Sequence, residues 1–360
     1  MMELLGKSKT ELRDFCTQMG EPVYRGDQIY YALYVERKSD IARITNLPLT
    51  LRQRFSREAQ ITLPEIKQKF ASADGSLRYL FALPPDGDKI TARPASVEAV
   101  FMPSEGRQTI CISTQAGCAV DCQFCLTAQL GLIRNLMPGE ILAQVLIALE
   151  ENKERLAPQT NVVLMGQGEP LLNFDAVMAA LRILLDPEGL AISPKHVTLS
   201  TSGIVPGIER LALEPVRPKL AISLNASNEE QRNTLMPINK KYPLAVLLEA
   251  CRKYPLRNWE HLTFEYVLLG GVNDAPEDAR HVARLLAPLK SVKVNLIPWN
   301  PGELPYREPA EDRIEEFRRI LNDKNIPAFV RYSRGRDVMA ACGQLALLQI
   351  DSSQLSVSGS

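Results

Sequence analysis

The chain has few histidines, and no two of them are spaced to ligate the same metal. Only three of its 360 residues are histidine, namely His196, His261 and His281, and they lie far apart. A structural zinc site needs four ligands and usually draws them from a second C-x2-C pair or a histidine pair. Neither is present, so a zinc knot is disfavoured. Among function classes other than enzymes, a zinc-dependent RNA-interaction protein without turnover stays open as a hypothesis.

The sequence also lacks net charge and long apolar runs. Its 42 Lys and Arg balance its 42 Asp and Glu, so a nucleic-acid partner has to be held by a local basic face rather than by the field of the whole protein. No apolar run approaches the length of a bilayer span, and the first residues have no signal-peptide core. We therefore expect a cytoplasmic protein with no membrane contact. We also expect a monomer.

Cysteine is scarce but clustered. Seven cysteines, an odd number in a chain of this length, indicate thiols and metal ligands rather than a disulfide framework. Cys118, Cys122 and Cys125 follow a short apolar strand in a C-x3-C-x2-C spacing. Thiolates favour zinc or iron–sulfur clusters, and a four-iron cluster would keep one iron that no local cysteine occupies. Cys16 and Cys251 lie on apolar helical stripes and are predicted to be core residues.

Strands and helices alternate from about residue 95 to residue 335, which predicts a parallel sheet. With right-handed crossovers, six such units can close into a partial (β/α)6 barrel. Within the predicted strands apolar residues alternate with small or polar ones, so one face should meet helices and the other should line an open lumen. The predicted strands lie near residues 109–114, 161–165, 196–200, 219–224, 262–268 and 292–297.

The predicted fold class is α/β, with a small and mainly helical N-terminal domain beside the barrel. A turn, read as a hairpin, is predicted over residues 83–90. The predicted units are an N-terminal accessory domain over 1–85, a catalytic domain over 86–347 and a disordered, serine-rich tail over 348–360.

Basic and aromatic residues are interleaved in the first part of the chain. Arg52 and Arg54 belong to a group of arginines that follows several tyrosines. This pattern is typical either of an RNA-contacting face or of an ordinary solvated helical face. Both interpretations stay open at this point.

Polar residues follow several predicted strands, where ligands of open α/β sheets bind. The second strand ends in Gly166-Gln167-Gly168-Glu169, in which glycine lets a ligand approach the backbone and Glu169 could accept from an ammonium group. A dinucleotide-binding fingerprint would need a third glycine, which is missing. The later strands end near Ser200, Ser223 and Asn300, where hydroxyls and amides suit a nucleoside and an amino acid, or simply turns and caps.

Two further cysteines are harder to interpret. Cys111 shares the polar face of the first barrel strand and should point into the lumen, seven residues before the cysteine motif. Cys342 follows an arginine-rich loop and by spacing alone could be an inert buried thiol.

Several long segments resemble the RlmN/Cfr family of radical S-adenosylmethionine methyltransferases. The resemblance runs from YRGDQIY to AACGQL and is most specific in QAGCAVDCQFCLTAQLG, NVVLMGQGEPLLN, LSTSG, INKKYPL and NLIPWNP. It implies an RNA-binding N-terminal domain and one 4Fe-4S cluster per chain on Cys118, Cys122 and Cys125. The residues it implies for S-adenosylmethionine are Gly168, Glu169, Ser200, Ser223, Leu224, Asn225 and Asn300. The family commonly has Ser-Leu-His where this chain has Ser-Leu-Asn.

The resemblance also implies a reaction. Cys342 takes the place of the cysteine that carries the methyl group, Cys111 that of its resolving partner, and Glu98 that of the proton-handling carboxylate. A deoxyadenosyl radical takes hydrogen from the methyl group on the sulfur of Cys342, the carbon radical adds to C2 of adenine, and a Cys111–Cys342 disulfide releases the product. The implied target is adenine 2503 of 23S rRNA, with adenine 37 of some tRNAs and Cfr-like C8 methylation as open alternatives. The implied electron donor is a protein such as flavodoxin.

Overall fold

The computed structural model describes residues 1–85 and 95–345. The turn predicted over 83–90 lies mostly outside these residues, and the tail predicted over 348–360 lies wholly outside them. The strands are β1 Met2–Glu3, β2 Ala59–Gln60, β3 Glu65–Ala71, β4 Leu77–Ala82, β5 Ser96–Ser104, β6 Arg107–Cys111, β7 Gln115–Gly117, β8 Leu132–Asn135, β9 Gln159–Leu164, β10 Val197–Thr201, β11 Lys219–Ser223, β12 Leu262–Leu268, β13 Val292–Pro298 and β14 Ala328–Val330.

The helices follow the predicted alternation closely. They are α1 Lys9–Gln18, α2 Tyr24–Tyr34, α3 Leu49–Glu58, α4 Leu126–Gln129, α5 Pro138–Glu151, α6 Phe174–Leu185, α7 Val205–Ala212, α8 Glu229–Leu235, α9 Leu244–Lys253, α10 Pro276–Leu286 and α11 Glu311–Asp323. None of the helices in the described part of the chain combines the length and the apolar character that crossing a bilayer requires.

One sheet of ten strands organises the molecule, in the order β14-β13-β12-β11-β10-β9-β6-β5-β4-β3. From β6 and β9 to β14 the neighbouring strands are parallel. The six predicted strands correspond to β6 and β9–β13, and a helical segment follows each of them, so the partial (β/α)6 barrel is confirmed. β14 and the antiparallel strands β3 to β5 extend the sheet beyond the six predicted units.

The two faces of the barrel strands differ as predicted. Ile110, Leu220 and Ile222 are almost fully buried in the main hydrophobic core, together with apolar side chains of the surrounding helices. The alternate residues Cys111 and Ser223 instead line cavities inside the barrel. The interior is therefore an open lumen with both polar and apolar lining residues, rather than the filled interior of an eight-stranded barrel.

The strands β3 and β14 form the two edges of the sheet and do not pair with each other. Residues 331–345, here called the closing segment, bridge this gap. Ser72 donates to Asp337 at 2.6 Å, and the backbone N–H of Gly335 donates to Asp74 at 3.0 Å. Further along, the N–H of Leu126 donates to the carbonyl of Gly343 at 2.8 Å. The closing segment thereby enters the lumen beside the cysteine loop.

The N-terminal residues pack tightly on the barrel. Helix α1 begins at a capping box formed by Ser8 and Glu11, and Cys16 is fully buried, as predicted. At Gly6 an added Cβ would lie 2.3 Å from the backbone nitrogen of Gly139, at the start of α5, so only glycine fits there. The domain boundary near residue 85 stays a prediction, although β3 and β4 of the first unit share the barrel sheet.

Candidate active site

A short loop after β7 carries the three clustered cysteines. Gly117 has φ +72°, and an added Cβ would lie 1.8 Å from the carbonyl oxygen of Gly131, so the loop requires glycine here. The N–H of Cys118 then donates to that carbonyl at 3.0 Å, and the N–H of Cys125 donates to the carbonyl of Cys122 at 3.1 Å. These bonds turn all three thiols towards one cleft.

The thiols of this loop are better suited to ligating an iron–sulfur cluster than to titrating as isolated side chains. Burial raises the pKa of Cys118 to about 12 and that of Cys122 well above its usual value, and each thiolate would also repel its neighbours. Bonding to iron replaces the lost solvation and keeps such thiols deprotonated. Among the described residues no group of three or more His, Cys, Asp or Glu side chains is arranged to hold a metal ion. A four-iron cluster takes one cysteine at each of three irons, which requires a wider spacing than one ion does.

The three thiols line a cleft of about 980 Å³, here called the cysteine cleft. Six of the seven residues predicted to bind S-adenosylmethionine line the same cleft. They are Gly168, Glu169, Ser200, Ser223, Asn225 and Asn300. The seventh, Leu224, is fully buried in the hydrophobic core, so its side chain takes no part in the cleft.

The end of β9 forms one wall of the cysteine cleft. Gly168 has φ +97°, and an added Cβ would lie 2.7 Å from the backbone nitrogen of Gln115. The carboxylate of Glu169 accepts from the N–H and the hydroxyl of Ser202, both at 2.7 Å, and from the N–H of Leu171 at 3.0 Å. Burial nevertheless raises the pKa of Glu169. A ligand ammonium group would offset this loss of solvation.

The ends of β10 and β11 form the next wall. The hydroxyls of Ser200 and Ser223 lie 3.4 Å apart on neighbouring strands. Behind them Arg232 of α8, fully buried, donates to the carbonyls of Ser202, Ser223 and Leu224 at 2.7–3.2 Å. Arg232 was not identified from the sequence, because nothing in the residues next to it indicates that this helix residue donates hydrogen bonds to carbonyls at the ends of two strands.

Asn225 has a structural reason to be asparagine. Its φ is +55°, in the left-handed region that asparagine tolerates better than most residues. The side-chain oxygen accepts from the N–H of Val267 at 2.9 Å, and the side-chain nitrogen donates to the sulfur of Met236 at 3.4 Å. The residue therefore braces the end of β11 against β12, and its side chain also lines the cleft.

Cys342 lies on the closing segment, where solvent can reach it. The amide of Asn300 donates to the hydroxyl of Ser333 at 2.9 Å and to the carbonyl of Cys342 at 3.2 Å, which fixes the backbone around the thiol. The surrounding protein atoms and the charge of Glu265 raise the pKa of Cys342 to about 11, against a lowering contribution from Ser333. Cys342 is therefore a neutral thiol at neutral pH.

A second cleft of about 1930 Å³, here called the basic cleft, opens at the other side of Cys342. Cys111 lines it as well, as the parity of β6 predicted, and burial together with the neighbouring Cys342 raises the pKa of its thiol. Both thiols are free. The lysines and arginines that line the cleft are Arg107, Lys195, Lys219, Lys293, Arg331 and Arg334.

Glu98 lies on β5, fully buried and outside the lining of both clefts. Its carboxylate accepts from Arg78 at 2.7 Å and from the amide of Gln167 at 3.3 Å, while its carbonyl accepts from Ser113 at 2.6 Å. Glu98 shares a strand face with Val100, which pairs with Cys111. The structure thus brings it near the first barrel strand but not into an open cleft.

The N-terminal arginines make contacts within their own region. The guanidinium of Arg52 donates to the carbonyl of Ala42, and that of Arg54 donates to Glu21 at 3.1 Å and to the carbonyl of Met19. These contacts favour the solvated-face interpretation for the two side chains. Tyr24 and Tyr31 of the same N-terminal region are nevertheless about half exposed.

Known proteins resemble the chain over nearly its whole length. Residues 112–286 match the radical SAM superfamily, and residues 2–61 match the ribosomal RNA large subunit methyltransferase N-terminal domain. The probable dual-specificity RNA methyltransferase RlmN of Koribacter versatilis is 48% identical, over 91% of this chain and 97% of that protein. The dual-specificity RNA methyltransferase RlmN of Geobacter sulfurreducens is 45% identical, over 96% and 92%. The crystal structure of a radical SAM methyltransferase from Sphaerobacter thermophilus superposes with a TM-score of 0.88 at 42% identity, over 96% and 99%.

Proposed function

The chain belongs to the RlmN family of radical S-adenosylmethionine RNA methyltransferases, and we propose that it methylates C2 of adenine 2503 in 23S rRNA, and adenine 37 of some tRNAs. The observation that carries the proposal is the place of Cys342, which lines both clefts. A methyl group accepted on this sulfur from one cleft can be presented to a base in the other without leaving the protein.

The cysteine cleft supports binding of the cofactors. Cys118, Cys122 and Cys125 would hold one 4Fe-4S cluster, and Gly168, Glu169, Ser200, Ser223, Asn225 and Asn300 would hold S-adenosylmethionine. The bound cluster supplies the electron that cleaves S-adenosylmethionine and yields a radical able to abstract hydrogen. The buried hydrogen bonds of Glu169 and Arg232 hold the strand ends in place, so the cleft requires little reorganisation on binding.

The basic cleft supports binding of RNA. Lys219 and Lys293 line this cleft, and burial lowers the pKa of both, together with the charge of Lys293 for Lys219 and the charge of Arg331 for Lys293. Two ammonium groups held close together gain from an anionic partner such as a phosphate. Proteins read folded RNA largely through its shape and through unstacked bases, and a cleft of this size admits one such base.

Cys342 and Cys111 have different roles in the covalent steps of the proposed reaction. Cys342 gives up its proton to solvent or to a nearby base, and its sulfur would displace the methyl group from the sulfonium of S-adenosylmethionine, with S-adenosylhomocysteine as the leaving group. Once the methyl carbon has bonded to C2 of the adenine, the adduct would lose its C2 proton and one electron, which the cluster would take back. The sulfur of Cys111 then attacks that of Cys342, and the S–S bond forms as the bond from the Cys342 sulfur to the methylene carbon breaks. The electron pair of that bond stays on the product carbon, which takes up a proton and becomes the methyl group. The shared cleft and the electrostatic influence of Cys342 on Cys111 support this pairing. Glu98 remains the candidate that the family resemblance implies for the C2 proton; it lies on β5 beside β6 and outside both clefts, so it would act on that proton through an intervening group such as a water.

Trapping of a covalent protein–RNA intermediate tests the proposal. Cys111→Ala protein, reconstituted anaerobically and incubated with unmodified rRNA fragments, should accumulate RNA linked covalently to Cys342, whereas Cys342→Ala protein should form no adduct. Cys111→Ala protein that turns over and stays free of RNA would contradict the assignment. Mass spectrometry of the product nucleoside distinguishes C2 from C8 methylation. A flavodoxin-like electron donor, a cytoplasmic location and a monomeric state stay predictions.

A further inference from the structure

Glu265 stands out as a carboxyl group in a cleft that is otherwise basic. It lies on β12 on the same side as Thr263, with which it lines the basic cleft. Among the described lining residues of that cleft it is the only acidic one, and it also lines the cysteine cleft. Glu265 therefore occupies the same junction as Cys342, to which it is close enough to raise the pKa of the thiol.

The surroundings of Glu265 leave room for a further partner. The amide of Asn295 donates to one carboxyl oxygen at 2.9 Å. Within the described part of the chain the second oxygen receives no hydrogen bond that would occupy it. The charged and titratable groups that act on Glu265 or on which it acts are Lys293 on β13, Arg331 after β14 and Cys342 on the closing segment, and Lys219 on the neighbouring strand β11 lines the same cleft.

We propose that the neutral carboxyl group of Glu265 recognises the Watson–Crick edge of the target adenine, donating its O–H to N1 and accepting from the N6 amino group. This inference rests on the proposed function, since it assumes that an adenine enters the basic cleft. N1 of adenine is a hydrogen-bond acceptor and the N6 amino group is a donor. A carboxylic acid presents one donor and one acceptor side by side, which matches this edge.

The protein keeps this carboxyl group neutral over a useful range of pH. Burial raises the pKa of Glu265 to about 7, although Asn295, Arg331 and Lys293 act in the opposite direction. Below this pKa the acid can donate to N1. Above it the carboxylate has only acceptors, and its charge would repel the N1 lone pair. Recognition through Glu265 should therefore weaken as the pH rises through about 7.

This pairing also explains how one carbon of the ring is chosen. C2 is bonded directly to N1, so an acid held on N1 places C2 beside the groups that flank Glu265. Cys342 is one of those groups. The same contact that identifies the base as adenine would thus direct C2 towards the sulfur that carries the methyl group.

The test compares binding of two RNAs without turnover. Cluster-loaded protein without reductant is titrated with a stem-loop that carries adenosine at the target position, or 1-deazaadenosine, which keeps the N6 amino group but has C–H in place of the N1 acceptor. We expect wild type at about pH 6 to prefer adenosine by about tenfold, because a good bidentate pair contributes discrimination of this order. At about pH 8.5 the preference should shrink to about twofold or less, because the acid has ionised.

The variants separate recognition from other roles. Glu265→Gln keeps a donor and an acceptor at all pH values, so it should retain the preference at both pH values. Glu265→Ala should bind both RNAs equally, and Thr263→Val, which alters the same cleft, should keep the wild-type ratio. A pH-dependent preference that persists in Glu265→Gln, or a Glu265→Ala ratio equal to that of wild type, would overturn the inference. Should the protein methylate no RNA at all, the proposed function itself would be wrong.

Discussion

The two clefts that meet at Cys342 are built differently. The polar groups of the cysteine cleft are braced by buried hydrogen bonds, as in the three bonds to Glu169 and the three carbonyls held by Arg232. The basic cleft has about twice the empty volume and is lined by lysines and arginines, several of them exposed. A small ligand with fixed geometry suits the first, and a large polyanion suits the second. Affinity for S-adenosylmethionine should therefore come mainly from the preorganised groups of the cysteine cleft, and affinity for RNA mainly from the positive charge of the basic cleft.

The largest expected effect comes from the cysteine loop. Cys125→Ala removes one of three cluster ligands, so we expect loss of bound iron and no detectable methyl transfer after anaerobic reconstitution. Iron and sulfide analysis, together with the visible absorption of the protein, measures the first result. Cys251→Ala serves as the matched control, because Cys251 is buried on α9 and is not part of the loop. Full methyl transfer by Cys125→Ala protein would contradict the cluster assignment.

A smaller but still large effect is expected for Arg232, which lies behind the ends of β10 and β11. Arg232→Met should lower the free energy of unfolding by about 3 kcal/mol, because it leaves buried carbonyls unsatisfied. It should also weaken binding of S-adenosylmethionine at least severalfold, while RNA binding changes little. Chemical denaturation and calorimetric titration measure the two effects. Arg210→Met is the control, since Arg210 forms an exposed pair with Asp175 and should change neither.

The lysines of the basic cleft should show the opposite pattern. Lys219→Ala and Lys293→Ala should each weaken RNA binding severalfold and reduce the slope of log affinity against log salt by about 1. Binding of S-adenosylmethionine should not change. Lys324→Ala, an exposed lysine after α11, provides the control with no expected effect. If either lysine variant weakens S-adenosylmethionine but not RNA, the division between the two clefts is wrong.

The smallest effect is expected at the N-terminal arginines. Because Arg52 and Arg54 bond to carbonyls and a carboxylate of their own region, Arg52→Ala and Arg54→Ala should each change RNA affinity by about twofold or less. Filter binding at several salt concentrations measures this change. A slope reduced by about 1 would instead establish these residues as phosphate contacts.

The sequence predicted the elements of the barrel well because each is encoded locally. Alternation such as that of Leu220 and Ile222 with Ser223 marks both the strand and the face that lines the lumen. The cysteine loop and the end of β9 could be predicted for the same reason, since their residues are close in sequence. The predicted roles of Cys111, Cys342 and Glu98 depended on the family resemblance instead.

What could not be predicted depends on contacts between distant residues. Arg232 reaches the ends of two strands from a helix, and the closing segment joins Gly335 to Asp74 across the gap in the sheet. Leu224 stays a prediction of the family resemblance, and because its side chain faces the core, only its backbone could contact a ligand. Glu265 shows an intermediate case, because strand parity places it in the lumen but only the fold shows that its neighbours are basic.

The central claim is that the methyl group passes through Cys342 on its way from one cleft to the other. The most direct test supplies S-adenosylmethionine with a deuterated methyl group to reconstituted protein and follows the label by mass spectrometry of the Cys342 peptide and of the RNA. We predict that the label appears on Cys342 before it appears in the adenine product, and that Cys342→Ser protein labels neither. Labelled RNA produced by Cys342→Ser protein would contradict the account.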